Sequence, residues 1–194
     1  IGTNNLPDCS NMCHESSGVA LSRSIGIGKG TVKLSCFEEA DLILVIGQNP
    51  GTNHPRMLTA LAACKENGGS VVSINPLEET AMKRFKHPQN PLHLIGRGVQ
   101  IADEHLPVRI GGDAALLQGF AKTMLSQGGT DPDFISKNTL GFEDWKRHIE
   151  STDWETIVEQ SGISRDRIEK TGTAIARSKR MIVCWAMGLT QHEN

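Results

Sequence analysis

The stretch Asp41-Leu-Ile-Leu-Val-Ile-Gly47 constrains the fold most, because its five central residues are all aliphatic and show no alternation with polar residues. Such a run lacks a solvent face. It is also far shorter than the run of about 20 apolar residues needed to cross a bilayer. A short strand covered on both sides, as in a parallel sheet flanked by helices, is what remains. The residues that follow agree with this. Met57, Leu58, Leu61, Ala62 and Cys64 fall on one face of a helix predicted over His54 to Asn67, Gly68-Gly69 ends it, and Ser70-Val-Val-Ser-Ile74 is the next strand. A strand, helix, strand unit with a short crossover places its two strands parallel and adjacent.

The rest of the chain divides unevenly. Residues 1 to 35 are rich in Gly, Ser and Asn and read as loop, with one helical turn near Gly18 to Ser24. Between Glu79 and Gly111 the pattern is broken by Pro88, Pro91 and Pro107, with a short strand expected over Leu106 to Ile110. A helix is predicted over Gly112 to Gln127. Shorter helices follow over Pro132 to Lys137, Phe142 to Glu150, Asp153 to Gln160 and Ser164 to Ser178, and a strand returns at Met181 to Trp185. The expected fold class is α/β: a parallel-sheet, three-layer, Rossmann-like domain with a helical insertion. Residues 1–35 are expected to be a loop segment and 36–194 the α/β domain.

Composition excludes several functions. With 20 basic and 22 acidic residues in 194, there is no field strong enough to predict nucleic acid or an anionic membrane as partner, and no direct membrane insertion is expected. Cys9, Cys13, Cys36, Cys64 and Cys184 are odd in number and scattered, which favours thiols in a reducing, cytoplasmic setting. Ile1 is not an initiator, and the chain stops shortly after a strand-like run. A piece of a larger enzyme is the expectation.

In open parallel sheets, ligands bind beyond the carboxyl ends of the strands. Here the exits are Gly47-Gln-Asn-Pro-Gly-Thr-Asn-His54, Asn75-Pro-Leu77 and Ala186-Met-Gly-Leu-Thr-Gln191. Each offers small residues for close backbone approach, and amides or hydroxyls able to pair with a base, ribose or phosphate. His54-Pro55 near a helix start adds backbone donors suited to phosphate. Gly26-Ile-Gly-Lys-Gly30 has neither dinucleotide-fingerprint nor Walker spacing and reads as a glycine loop. The cluster Cys9-x-x-x-Cys13-His14-Glu15 lacks a second ligand pair for structural zinc. Adjacent side chains also rarely form a nucleophile and base pair. It is either a structural loop or a thiolate and imidazole beside a metal centre that a cofactor supplies.

Asp8-Cys-Ser-Asn-Met-Cys-His-Glu15, Gly47-Gln-Asn-Pro-Gly-Thr-Asn-His-Pro55, Asn75-Pro76, Arg109-Ile-Gly-Gly-Asp113 and Trp185-Ala-Met-Gly-Leu-Thr-Gln191 together resemble the molybdopterin oxidoreductase superfamily. The resemblance is closest to formate dehydrogenase alpha subunits, and it weakens from about Lys83 to Ala102. It implies the central slice of a catalytic subunit that takes a small substrate such as formate and passes electrons to an unidentified partner. The implied cofactor is molybdenum held by bis(molybdopterin guanine dinucleotide). By motif position Cys13 would ligate the metal and His14 would manage the substrate proton. Asn49, Thr52, Asn53, Asn75, Pro76, Gly111, Asp113, Gly188 and Gln191 would contact the cofactor. Glu15 stands where typical formate dehydrogenases have Gly. The 4Fe-4S cluster of the family belongs to an N-terminal domain whose closely spaced cysteines are not in this sequence, so this piece alone is expected to bind little cofactor and to have no turnover. Two other readings use the same strand exits: a noncatalytic nucleotide-binding or regulatory module, and an NAD-dependent dehydrogenase domain. The missing Gly-x-Gly-x-x-Gly counts against the latter.

Overall fold

The computed structural model describes residues 2–6, 12–89, 91 and 95–192. The four strands are β1 (Leu42–Ile46), β2 (Ser70–Ile74), β3 (Glu104–Leu106) and β4 (Met181–Trp185), all parallel, in the order β3-β2-β1-β4. β1 is central, pairing Leu42 with Ser70 on one side and with Met181 on the other. That position explains its uninterrupted aliphatic run, since all five residues are buried.

Alternate residues of β1 feed two separate cores. Leu42, Leu44 and Ile46 pack with Val72, Ile74 and Leu106 against Leu116 and Phe120 of α6 (Asp113–Ser126), Ile157 of α9 (Trp154–Ser161) and Ile168 of α10 (Arg165–Arg177). Ile43 and Val45 pack on the opposite face with Leu58, Leu61 and Cys64 of α4 (Met57–Glu66) and Met82 of α5 (Thr80–Lys83). Helix, sheet and helix thus form three layers, as expected. The chain moves from β1 through β2 to β3 with its crossovers on the α4 face. It then returns to β4 through α6, α7 (Pro132–Asn138), α8 (Phe142–Ser151), α9 and α10. Reversing direction puts the return on the other face, which connections of a single hand require.

The return helices are held closely. A Cβ on Gly119 of α6 would come within 2.6 Å of Ile168 Cγ2, so α10 sits directly on the α6 backbone. Lys122 Nζ donates to the carbonyls of Glu150 at 2.6 Å and Thr152 at 2.9 Å, placing a cation at the end of α8. At the opposite edge of the sheet the Asp41 carboxylate accepts from Ser178 Oγ and from the N–H groups of Lys179 and Arg180, fastening the start of β1 to the loop before β4.

Three sequence expectations shift. Residues 15 to 25 form α1 (Glu15–Ile25), eleven residues rather than one turn, closed by Gly26 at φ 79°. No residue of α1 is buried, so it carries no continuous apolar stripe to reveal it. The short helix α2 (Ser35–Glu39) precedes β1. The helix predicted from His54 begins at Met57, because α3 (Pro50–Asn53) intervenes with Pro50 in its first turn. The third strand ends at Leu106 instead of starting there, since Pro107 has no N–H to donate to a ladder. After β4 the chain turns at once into α11 (Met187–Thr190).

Candidate functional site

The sheet order reverses between β1 and β4, and this is where an open parallel sheet opens a crevice at its carboxyl edge. Gly47 and Gly188 meet there. Gly188 N donates to the Gly47 carbonyl at 3.1 Å, and a Cβ on either glycine would lie 2.6 Å from the backbone of the other. Gly47 also holds φ 58°, which L side chains rarely adopt. Two exits therefore close into one surface built from bare backbone.

The segment carrying Cys13 is tied to this surface from the other side. Gln191 Nε2 donates to the Cys13 carbonyl at 2.8 Å, Ser16 Oγ to the Thr190 carbonyl at 3.2 Å, and Trp185 Nε1 to Ser17 Oγ at 2.9 Å. Cys13, Glu15, Ser16 and Arg23 then line an open cleft of about 730 Å³ together with Thr190, Gln191 and His192. Thr190 Oγ1 is buried without a partner among the described residues. Cys13 is half-buried, whereas His14 is exposed and is not among the residues lining the cleft. The segment was expected to be an exposed loop; instead Met12 and Cys13 are helical, the chain turns at His14 and it continues as α1. Cys9 lies outside the described residues.

Two further groups form at the carboxyl edge. Asn49 Nδ2 donates to Glu79 Oε2 at 2.7 Å and Asn75 Nδ2 to Glu79 Oε1 at 3.2 Å, so one carboxylate joins the exits of β1 and β2. Asn49 Oδ1 accepts from Thr52 N at 3.2 Å and caps α3. Asp113, at the first position of α6 and only 5% exposed, faces His192 Nε2 across 3.0 Å. Burial raises the carboxyl of Asp113 above its usual range, although the His192 hydrogen bond opposes this. Among the remaining candidates, Asn53, Pro76 and Gly111 are exposed, and Gly111 holds φ 83°. The structure thus brings together Cys13 with Gln191 and Asn49 with Asn75. Asp113 stands with His192 in a separate contact.

The donor set suits a cofactor that brings its own metal. Among the described residues no three His, Cys, Asp or Glu side chains converge on one point, so Cys13 would be a single soft ligand and not part of a protein-built metal cage. Among the described residues, the orphaned Thr190 hydroxyl and the free Asn75 carbonyl oxygen fit a large polar ligand at the crevice.

The family model that matches is the molybdopterin oxidoreductase model, over residues 3–194. The chain belongs to this family. An uncharacterized oxidoreductase of Mycobacterium tuberculosis strain H37Rv is 46% identical to this molybdopterin oxidoreductase chain over 198 residues, covering 99% of the chain and 25% of the relative. Protein YdeP of Escherichia coli K12 is 44% identical over 204 residues, covering 100% and 27% respectively. Formate dehydrogenase H of the same strain is 28% identical over 192 residues, covering 98% and 24%. Acetylene hydratase from Pelobacter acetylenicus superposes with a TM-score of 0.75 at 20% identity, over 97% of this chain and 23% of that one, a likeness of fold. The chain spans about a quarter of the length of the curated relatives it matches.

Sequence reasoning missed Glu79, Ser17 and His192 in this molybdopterin oxidoreductase domain. Gly47 and Gln48 were read only as part of the β1 exit, without individual roles; Gln48 is 8% exposed, its Nε2 lies 3.2 Å from His54 Nδ1, and its Oε1 has no partner among the described residues. Gly47 had a signal, as a glycine directly after a buried strand. Glu79 lay in a segment without periodicity, and nothing local connects it to Asn49.

Proposed function

We propose that this chain is part of the catalytic subunit of a formate dehydrogenase-like molybdenum oxidoreductase. The observation that carries this reading is the bond from Gln191 to the Cys13 carbonyl, which sets the one candidate metal-ligating thiol of the family motif beside the crevice of the sheet. The 28% identity to formate dehydrogenase H and the Cys13-His14 pair support the substrate.

The proposed reaction removes two electrons and one proton from formate and leaves carbon dioxide. A molybdenum centre bound through pterin guanine dinucleotide groups would supply the two-electron acceptor, and Cys13 would hold that metal by its thiolate. His14, exposed beside it, accepts the proton on a ring nitrogen and passes it to water. Gly47 and Gly188 let the exits of β1 and β4 meet backbone to backbone and so form one wall of the crevice. Asn75, Asp113 and Gln191 orient the ligand's polar edges. Thr52, Asn53, Pro76 and Gly111 shape the exits around them. Residues 1–35 act as the active-site segment and 36–194 as the dinucleotide-binding part. A 4Fe-4S cluster in an N-terminal domain of the full-length protein would supply the electron route to a separate partner. No helix among the described residues is long and apolar enough to cross a membrane, and the thiol-rich composition supports a cytoplasmic setting.

The test is Cys13→Ala in the full-length enzyme. Formate oxidation should vanish while far-ultraviolet circular dichroism and melting temperature stay unchanged. Full turnover in the variant, or a purified wild-type protein without molybdenum, would overturn the reading, the latter in favour of a noncatalytic nucleotide-binding module.

A further inference from the structure

Glu79 occupies the N-cap position of α5 but makes no side-chain cap there. Its carboxylate turns instead to the two strand exits, taking Asn49 Nδ2 on one oxygen and Asn75 Nδ2 on the other. Contact with a carboxylate dictates how an amide is turned, because an ionised carboxylate only accepts. For Asn49 a second constraint agrees: its oxygen must face Thr52 N to cap α3. Both polar ends of Asn49 are therefore committed within the protein. Asn75 has one such constraint. With its nitrogen on Glu79, its Oδ1 is left without a partner among the described residues, as an acceptor on a half-buried side chain.

The approach of α5 to α3 makes this reach possible. A Cβ on Gly51 would lie 2.3 Å from Ala81 Cβ, so the two short helices touch where Gly51 has no side chain. The neighbouring cation is committed elsewhere: Lys83 Nζ pairs with Glu78 at 2.6 Å. The exits of β1 and β2 accordingly present acceptors and a carboxylate with no ion-pair partner among the described residues, a surface that repels phosphate and attracts N–H groups.

We propose that Glu79 is the positioning residue of this site, turning the two asparagine amides so that Asn75 offers its carbonyl oxygen to a hydrogen-bond-donating heterocycle edge. The ligand class deepens the guanine dinucleotide reading above and rests on it; the amide orientation does not. Glu79→Gln makes the sharpest variant because it preserves shape and inverts half of the polarity. The Gln carbonyl keeps Asn49, which the α3 cap holds in place. The Gln amide then forces Asn75 to turn its oxygen inward and its nitrogen outward.

Two measurements test this. First, on the chain labelled with 15N-asparagine, the side-chain amide resonances of Asn49 and Asn75 are compared in wild type, Glu79→Gln and Glu79→Ala, with melting temperature as the folding control. The Asn75 resonance is expected to shift in both variants, while that of Asn49 stays near its wild-type position in Glu79→Gln and moves in Glu79→Ala. Asparagine resonances indifferent to residue 79 in folded variants would overturn the positioning role. Second, calorimetric titration of the full-length protein freed of cofactor compares GMP with IMP, which lacks the 2-amino donor. Wild type should favour GMP by about fivefold, the scale of one hydrogen bond, and Glu79→Gln should lose that preference. Equal binding of GMP and IMP by wild type, or no binding of either, would overturn the donor-edge assignment. Should the full-length protein contain no molybdenum cofactor, the amide resonances still decide the role of Glu79, so the two failures are distinguishable.

Discussion

The side-chain amide of Gln191 donates to the main-chain carbonyl of Cys13 at 2.8 Å, joining residues 178 positions apart at the edge of the sheet. With Ser16 and Trp185 it makes three hydrogen bonds that fasten the Cys13 segment to the β4 exit. α1 buries no residue of its own, so these bonds carry much of its attachment. Gln191→Ala should therefore speed amide exchange over residues 14 to 18 by about fivefold, the equivalent of one hydrogen bond near 1 kcal/mol. Deuterium uptake by mass spectrometry reads this directly, and unchanged uptake would show that the bond does not hold the segment.

The meeting of Gly47 and Gly188 leaves no room for a methyl group on either residue. Gly188→Ala is expected to cost about 1–3 kcal/mol as an overpacking change. Gly47→Ala should cost more, about 3 kcal/mol or above, because it adds a left-handed backbone to the same clash. Denaturant titration of the two variants checks both the sizes and their order.

Asp41 and Asp113 should respond to pH with opposite signs. Hydrogen bonding from Ser178, and from the Lys179 and Arg180 amides, holds Asp41 below its usual 3.8. The folded state thus binds this proton less readily than the unfolded one, so the stabilisation is present above 3.8 and is lost as pH falls through the lowered folded value. Burial holds Asp113 above 3.8, so the folded state binds its proton more readily, and stability falls as pH rises from 3.8 through the raised folded value. At pH 7 Asp41→Asn should melt below wild type and Asp113→Asn above it. Both gaps should shrink as pH drops below 4, and melting curves between pH 3 and pH 8 decide the matter. A residue that costs stability where it sits is what a ligand-binding carboxylate would be.

Glu15 and Arg23 line the cleft that Cys13 lines. They lie eight residues apart on α1, and their charges act on any anion entering the cleft. On the formate reading proposed above, Glu15→Gly in the full-length protein should lower KM for formate and Arg23→Ala should raise it, each by a few fold at low salt and less at high salt. Steady-state kinetics at two ionic strengths separates this from a structural effect, which salt would not diminish.

The central strand was legible in the sequence because Leu42 to Ile46 are apolar without alternation, a pattern that only burial on both faces explains. The helices behind it were legible for the same reason, since an apolar stripe records which side faces the core. α1 was hidden because it packs on nothing that would have demanded a stripe, and β3 was misplaced by the residues on either side of Pro107.

Local sequence thus determined the layers, the parallel pairing and the exits where small and amide residues collect, because periodicity and turn chemistry act within a few residues of each other. Tertiary structure alone decided which exits meet. Gln191 reaches Cys13 because β4 pairs with β1 instead of with β3, and Glu79 reaches Asn49 because α5 folds back on α3 at Gly51. Contacts of that kind depend on strand order and on the close approach of distant backbones, which neither period nor spacing along the chain encodes.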